Sequence, residues 1–403
     1  MLTRQIATKI VSKLQAKGHI AYFAGGWVRD YLLNLPSDDI DIATSASIEE
    51  IQTLFPKTIP VGIAFGIILV VEEGHHFEVA TFRKEKEYVD GRRPTSIERA
   101  TPEEDAQRRD FTINGMFFDP IQEKLLDFVK GEEDLKNRWI RAIGDPHHRF
   151  LEDRLRMIRA VRYSVRFNFP IHIDTEQAIL SHAPSLFPSV AIERVWQEFQ
   201  KLSKFVTFSK GLEKLHQLNL LSTIFPSLQE VSSEELHERL SLFPLFPKST
   251  PLIIELAHLF PNDSLEKHLE LCDYMKLSRK DKEHIEFLHY AKSLLLMPLS
   301  WQEGLSNFEW AQFYAHPLSS LFLILYKAAP FHTQKKEELS SYILRLQEKR
   351  PLLTAADLLQ EGILPSPILG LLLKEAEKLS INLKLTDKTT LLTALKDNPL
   401  WPK

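Results

Sequence analysis

The chain has 403 residues, 44% of them hydrophobic and 26% charged, with one cysteine and a formal net charge of −4. At roughly 100–200 residues per domain this gives two to four folded units, and a content of 10% aromatics excludes a disordered chain. Cys272 alone excludes a disulfide framework and an all-cysteine metal site, and any polyanionic partner must be met by a local basic patch.

At the N-terminus, residues 1–18 place Ile6, Ile10, Val11 and Leu14 at helical spacing among charges, an amphipathic helix stopped by Gly18. Arg4, Lys9, Lys13 and Lys17 interrupt its apolar positions, unlike a signal peptide. The longest uncharged apolar run, 63–71, is too short to cross a bilayer. A soluble protein of a reducing compartment, the cytoplasm, is the expectation. Strand-like runs follow at 20–24, 40–44, 65–71 and 77–82, separated by helical pieces and glycine turns, so the first third reads as a mixed α/β unit. Thr101-Pro102-Glu103-Glu104 carries the signature of a capped helix start, and Asp145-Pro146 opens a helix running through residues 149–153. From Asp145 onward strand signals almost vanish and proline-punctuated helices take over.

Chemistry concentrates in a few stretches. Gly25-Gly26-Trp27-Val28-Arg29-Asp30 follows a short apolar strand, where two glycines allow close backbone approach to a phosphate with Arg29 one turn in. An ordinary tight turn fits the same residues. In Asp38-Asp39-Ile40-Asp41-Ile42, strand alternation puts Asp39 and Asp41 on one face, about 7 Å apart, with the isoleucines in the core. Two such carboxylates suit a hard cation, Mg²⁺ above all, which binds one or two carboxylates plus substrate phosphates. Glu78, set among core-type residues, is either a third member of that cluster or a salt-bridged edge residue. In Arg108-Arg109-Asp110, one arginine is free to reach a triphosphate while the other pairs with Asp110.

The densest signal spans 149–166. Read as one helix, it aligns Leu151, Leu155, Ile158, Val161 and Val165 in an apolar stripe, with Asp153, Arg156 and Arg159 off it. Arg162 falls near the apolar face, so it is buried with a partner or the helix bends there. Eight arginines between 138 and 166, against Asp145, Glu152 and Asp153, supply the local basic patch. An Asp–Arg pair matches the amino donor and ring-nitrogen acceptor that cytosine and adenine share. Uracil and guanine reverse that pattern at about 1–3 kcal/mol per unpaired group.

Together these residues resemble the class II tRNA nucleotidyltransferases, the CCA-adding enzymes and poly(A) polymerases of the polymerase-β superfamily. The matching elements are residues 25–30, Asp39-Ile40-Asp41, Tyr88 with Asp90-Gly91-Arg92-Arg93-Pro94, 108–114 and 145–162, in the family's order. Gly362-Ile363-Leu364-Pro365 and Ile368-Leu369-Gly370 are similar to a late helical motif of the family. The resemblance implies an α+β fold: a nucleotidyltransferase head of mixed sheet and helices (1–140), then an all-α neck with the nucleotide-reading motif (141–205), body (206–330) and tail (331–403). It implies Mg²⁺ on Asp39 and Asp41, with Glu78 as a further candidate. Gly26, Arg29 and Arg109 would contact the nucleotide, Asp153 and Arg156 would read the base, and Arg159 and Arg162 would support nucleotide or primer. The implied reaction is addition of C, C and A from CTP and ATP to the tRNA 3′ end. The alternatives on this fold are an A-adding enzyme and a poly(A) polymerase. Residues 90–94 match the family's flexible loop, which favours terminal A addition. The chain departs from many relatives in carrying Arg154 for proline and Gly115 for alanine, and in the apolar Gly62-Ile63-Ala64-Phe65-Gly66.

Overall fold

The structure is a computed structural model describing residues 2–63, 66–88 and 94–402, with side chains for all of these except 85–88 and 94–97. The chain separates into two compact units, Met1–Glu238 and Arg239–Lys403.

The first unit opens with α1 (Leu2–Gln15), which buries Ile6, Ile10, Val11 and Leu14 as their spacing predicts. β1 (Ala21–Ala24), α2 (Gly26–Leu32), β2 (Asp41–Thr44) and α3 (Ile48–Leu54) follow. Next come β3 (Thr58–Gly62), β4 (Ile67–Glu72), β5 (His75–Thr81), β6 (Arg83–Tyr88) and β7 (Pro94–Arg99). The segment closes with α4 (Pro102–Gln107), β8 (Phe117–Asp119), β9 (Lys124–Leu126) and α5 (Gly131–Asn137). Seven strands form one sheet in the order β3-β4-β5-β2-β1-β8-β9, while β6 and β7 pair separately. All pairings in the large sheet are antiparallel except β2 with β5, which brings Ile42 opposite Val79. The mixed sheet is thus as expected, with the acidic strand at its centre. Ala24, Ala43, Phe82, Ala106, Phe117 and Ile143 make a core between sheet and α4.

The helical part of this unit contains α6 (Pro146–Glu152), α7 (Leu155–Phe167), α8 (Ile173–His182), α9 (Ile192–Leu202) and α10 (Phe208–Gln217). Among the described residues no strand follows Leu126. One expectation fails here: 149–166 is not one helix. Asp153 adopts extended backbone, φ −150° and ψ 103°, and separates α6 from α7. Its carboxylate takes the Leu155 N–H at 3.1 Å, a local bond that competes with helix continuation. The stripe breaks accordingly: Leu155, Ile158 and Val161 are buried, but Leu151 is 47% exposed.

The second unit is helical among its described residues. Its core gathers Trp310, Phe313, Tyr314 and Phe322, and a C-terminal cluster packs Leu358, Ile363, Leu372, Leu391 and Leu395.

Candidate active site

The acidic strand builds one side of the site. Ile40 and Ile42 are buried at 3% and 0% exposure, which turns Asp39 and Asp41 to the other face. There they line a cleft of about 780 Å³ together with Gly26, Arg29, Glu78, Arg109, Asp153, Arg156 and Arg159. The sequence-predicted residues therefore converge, except Arg162, which is not part of the lining. The parallel pairing of Ile42 with Val79 sets Glu78 beside Asp41. Because β5 lies between β4 and β2, Glu78 is not at a sheet edge. Burial, then the Glu78 and Asp39 carboxylates, push the Asp41 carboxyl up to about 7 against the opposing pull of Arg109. Among the described residues, none of these three carboxylates has an ion-pair partner within reach. Nor do three acidic, histidine or cysteine side chains close into a metal cage by themselves.

The glycine turn sits opposite. Gly25 has φ 66°, a conformation that favours glycine, and a Cβ there would fall 2.9 Å from Arg109 Nη1 and displace that guanidinium. Arg29 is not an exposed phosphate hook. It is 2% exposed, bonded to Asp30 through Nε and Nη2 at 2.9 and 2.7 Å, and its Nη1 donates to Asn114 Oδ1. Its guanidinium also lies 4.6 Å from the Phe167 ring centroid. Arg166 closes on the other Asp30 oxygen at 2.8 Å. Arg29 is thus a fixed part of the cleft lining, tied to its neighbours.

The paired arginines also differ from expectation. Asp105 sits three and four residues before Arg108 and Arg109, and its two oxygens take both, at 2.7 and 3.1 Å. Asp110 is left for Arg159, at 2.6 Å. Burial alone would raise the Asp110 carboxyl, but Arg159 and the Asn114 amide hold it well below the usual carboxylate range. Gly115 packs so tightly that an alanine Cβ would stand 2.7 Å from Val129 Cγ2.

At the turn between α6 and α7, Asp153 and Arg156 are not paired side chain to side chain. Arg194, which the sequence reading did not single out, grips Asp153 with two bonds of 3.1 and 2.7 Å. Arg156 pairs with Glu152 at 2.6 Å and donates to the carbonyls of Arg149 and Arg108, each at 3.1 Å. Arg162 is buried with a partner, Glu198, at 2.6 Å, the first of the two outcomes its position allowed. Glu198 lies on the apolar face of α9, and that misplaced acid was the sequence signal for it. Tyr88 and residues 90–94, the loop motif, fall outside the described side chains, as do Ala64 and Phe65.

Comparison with known proteins agrees with this layout. Residues 21–141 match the Poly A polymerase head domain, and residues 168–231 match the probable RNA and SrmB-binding site of polymerase A. A CCA-adding enzyme of Anoxybacillus flavithermus is 43% identical over 242 residues, 60% of each chain. One from Bacillus cereus (strain B4264) is 42% identical over 231 residues, 57% of each. The aligned stretch thus spans about three fifths of the curated relatives' length. A crystal structure of the Bacillus stearothermophilus CCA-adding enzyme in complex with CTP is similar over 98% of this chain and 97% of that one, at TM-score 0.77 and 28% identity. The Thermotoga maritima CCA-adding enzyme complexed with tRNA shares the fold over 98% and 94% of the two chains, at TM-score 0.63 and 22% identity. Residues 21–141 and 168–231 thus carry the polymerase head and RNA-binding segments in order, and the chain shares the fold of a CCA-adding enzyme from end to end.

Proposed function

We propose that this chain is a template-independent tRNA nucleotidyltransferase that adds C, C and A to the tRNA 3′ end from CTP and ATP. The observation that carries the reading is a single cleft joining the carboxylates Asp39 and Asp41 to an arginine-rich wall ending in Asp153 and Arg156. Similar enzymes have been solved with CTP and with tRNA. The finer partition into head (1–140), neck (141–205), body (206–330) and tail (331–403) belongs to the same proposal, with body and tail holding tRNA by phosphate contacts and shape. So does a cytoplasmic setting, in keeping with a single, buried cysteine.

The donor set fits Mg²⁺. Asp39 and Asp41 offer oxygen donors with no ion-pair partner among the described residues, and a divalent ion would offset the carboxylate repulsion that, after burial, raises the Asp41 carboxyl. Asp39 and Asp41 would hold the ion together with substrate triphosphate oxygens, with Glu78 beside them as a further candidate. The chemistry such an ion would supply there is a lowered pKa for the attacking hydroxyl and offset charge on the departing pyrophosphate. The chain's own residues bind and orient. Arg109, fixed by Asp105 beside the glycine turn, meets triphosphate charge. Arg29 stiffens the turn through Asp30, and the Asp110–Arg159 pair braces the cleft lining. Arg162, tied to Glu198, supports α7 from outside the cleft.

The test is primer extension on tRNAs ending at the discriminator base, at C and at CC, with CTP, ATP or both. Two Cs and one A on the shortest substrate are expected. Addition of A to the CC-ended tRNA alone makes it an A-adding enzyme, runs of A make it a poly(A) polymerase, and no extension ends the reading.

A further inference from the structure

Asp153 is held by a residue that the Asp153–Arg156 scheme leaves out. Arg194 reaches it from α9 with Nη1 on Oδ1 at 3.1 Å and Nη2 on Oδ2 at 2.7 Å. Oδ1 also accepts the Leu155 N–H at 3.1 Å. A carboxylate offers about four lone-pair positions, so these bonds leave one acceptor site, on Oδ2. Both side chains line the cleft and keep under a fifth of their surface, 17% and 19%.

We infer that Arg194 is a specificity-determining positioning residue, whose two-pronged grip fixes the plane of the Asp153 carboxylate and leaves that one acceptor for the amino group of cytosine or adenine. The inference rests on the reading of the site proposed above. A carboxylate free to rotate can admit a bridging water and so tolerate the carbonyl of uracil or guanine. A locked one sets oxygen against oxygen, and the mismatched base leaves both groups unpaired. The turn is held from outside by the Arg194 grip and by a bond from Arg154 Nε to Ser185 Oγ at 2.9 Å. Arginine suits the task because its planar fork fixes an orientation, whereas a lysine supplies charge alone.

The experiment compares kcat/KM for CTP and for UTP on a discriminator-ended tRNA, in wild type, Arg194→Lys, Arg194→Ala, Asp153→Ala and the Asp153→Ala/Arg194→Lys double variant. Arg194→Lys is expected to lower the CTP-to-UTP ratio about tenfold, one hydrogen bond's worth of discrimination, with an unaltered melting curve. On the Asp153→Ala background it is expected to change the ratio no further. A merely structural role would slow both nucleotides alike, leave the ratio intact, and so overturn the inference. An equal drop on the Asp153→Ala background would overturn it too. If Arg194→Ala fails to fold, Arg194→Lys still decides. A wild type that adds neither C nor A sinks the function proposed above and not this grip. Calorimetric binding of CTP against UTP to the same variants then decides the grip, by the same ratio.

Discussion

Asp39 and Asp41 carry the sharpest residue-scale consequence. Asp39→Ala or Asp41→Ala is expected to cut transfer on the order of 10³-fold while leaving tRNA binding, measured by filter retention, within a factor of a few. Near-normal turnover in either variant would remove both from the metal site. Asp41 also opposes the fold, since burial and its acidic neighbours raise its carboxyl from 3.8 to about 7. A raised carboxyl favours folding fully below the unfolded value and loses that contribution as pH rises through the folded value. In chelator, Asp41→Asn is therefore expected to melt a few degrees above wild type at pH 8, with the difference gone near pH 3.8. A variant less stable than wild type at pH 8 would contradict the repulsion. The carboxylates were legible because strand alternation is a local rule, and so was the oddity of Arg162 on a helix face. The partners were not. Arg194 lies 41 residues from Asp153 and Arg159 lies 49 from Asp110, and which arginine meets which acid is decided by how α4, α7 and α9 pack.

At the scale of elements, β1, β2, β4 and β5 were legible as apolar runs, whereas β3, β6, β7, β8 and β9 were not. β8 and β9 have three residues each, too few for a period to show, and they exist because Phe117 and Phe118 have the sheet to pair with. The break between α6 and α7 was missed because helical spacing continues across it, while Asp153 turns the backbone through its own carboxylate. That break has a measurable property. Arg154 has φ −64°, within the range of a proline ring, and Asp153 before it is extended as a pre-proline residue must be. Arg154→Ala is expected to cost about 1 kcal/mol through the lost bond to Ser185. Arg154→Pro is expected to recover about 0.4–1 kcal/mol of that by restricting the unfolded chain. Urea unfolding that ranks proline below alanine would show that the turn is strained in a way its dihedrals do not suggest.

Over the whole molecule the two units differ in how they meet acid. In the second unit burial holds His258, His268, His284, His289 and His332 below their ordinary value, and lowers His316 to about 4. His332 shows why: Tyr314 and Gln302 occupy its two ring nitrogens at 3.0 and 2.8 Å, an arrangement made for a neutral imidazole. In the first unit only His182 is depressed among the described histidines, while arginine neighbours hold Asp105, Asp110 and Glu198 below the ordinary carboxylate value against their burial, and Asp41 is raised to about 7. A depressed histidine contributes its full stability above the unfolded value, about 6.5, and loses it as pH falls toward the folded value. Glu255 works the other way: raised by burial to about 7, it gains stability as pH falls. It is one group against six. Between pH 7 and 5, hydrogen-exchange protection factors of the intact chain are therefore expected to fall across Arg239–Lys403 and not to fall across Met1–Glu238, where protonation of the raised Asp41 opposes the depressed His182. Loss of protection first in Met1–Glu238, or in both units together, would mean that the buried histidines do not govern acid stability. With Glu255→Gln the opposing contribution is removed, so the same fall is expected to be steeper and to start from higher protection at pH 8.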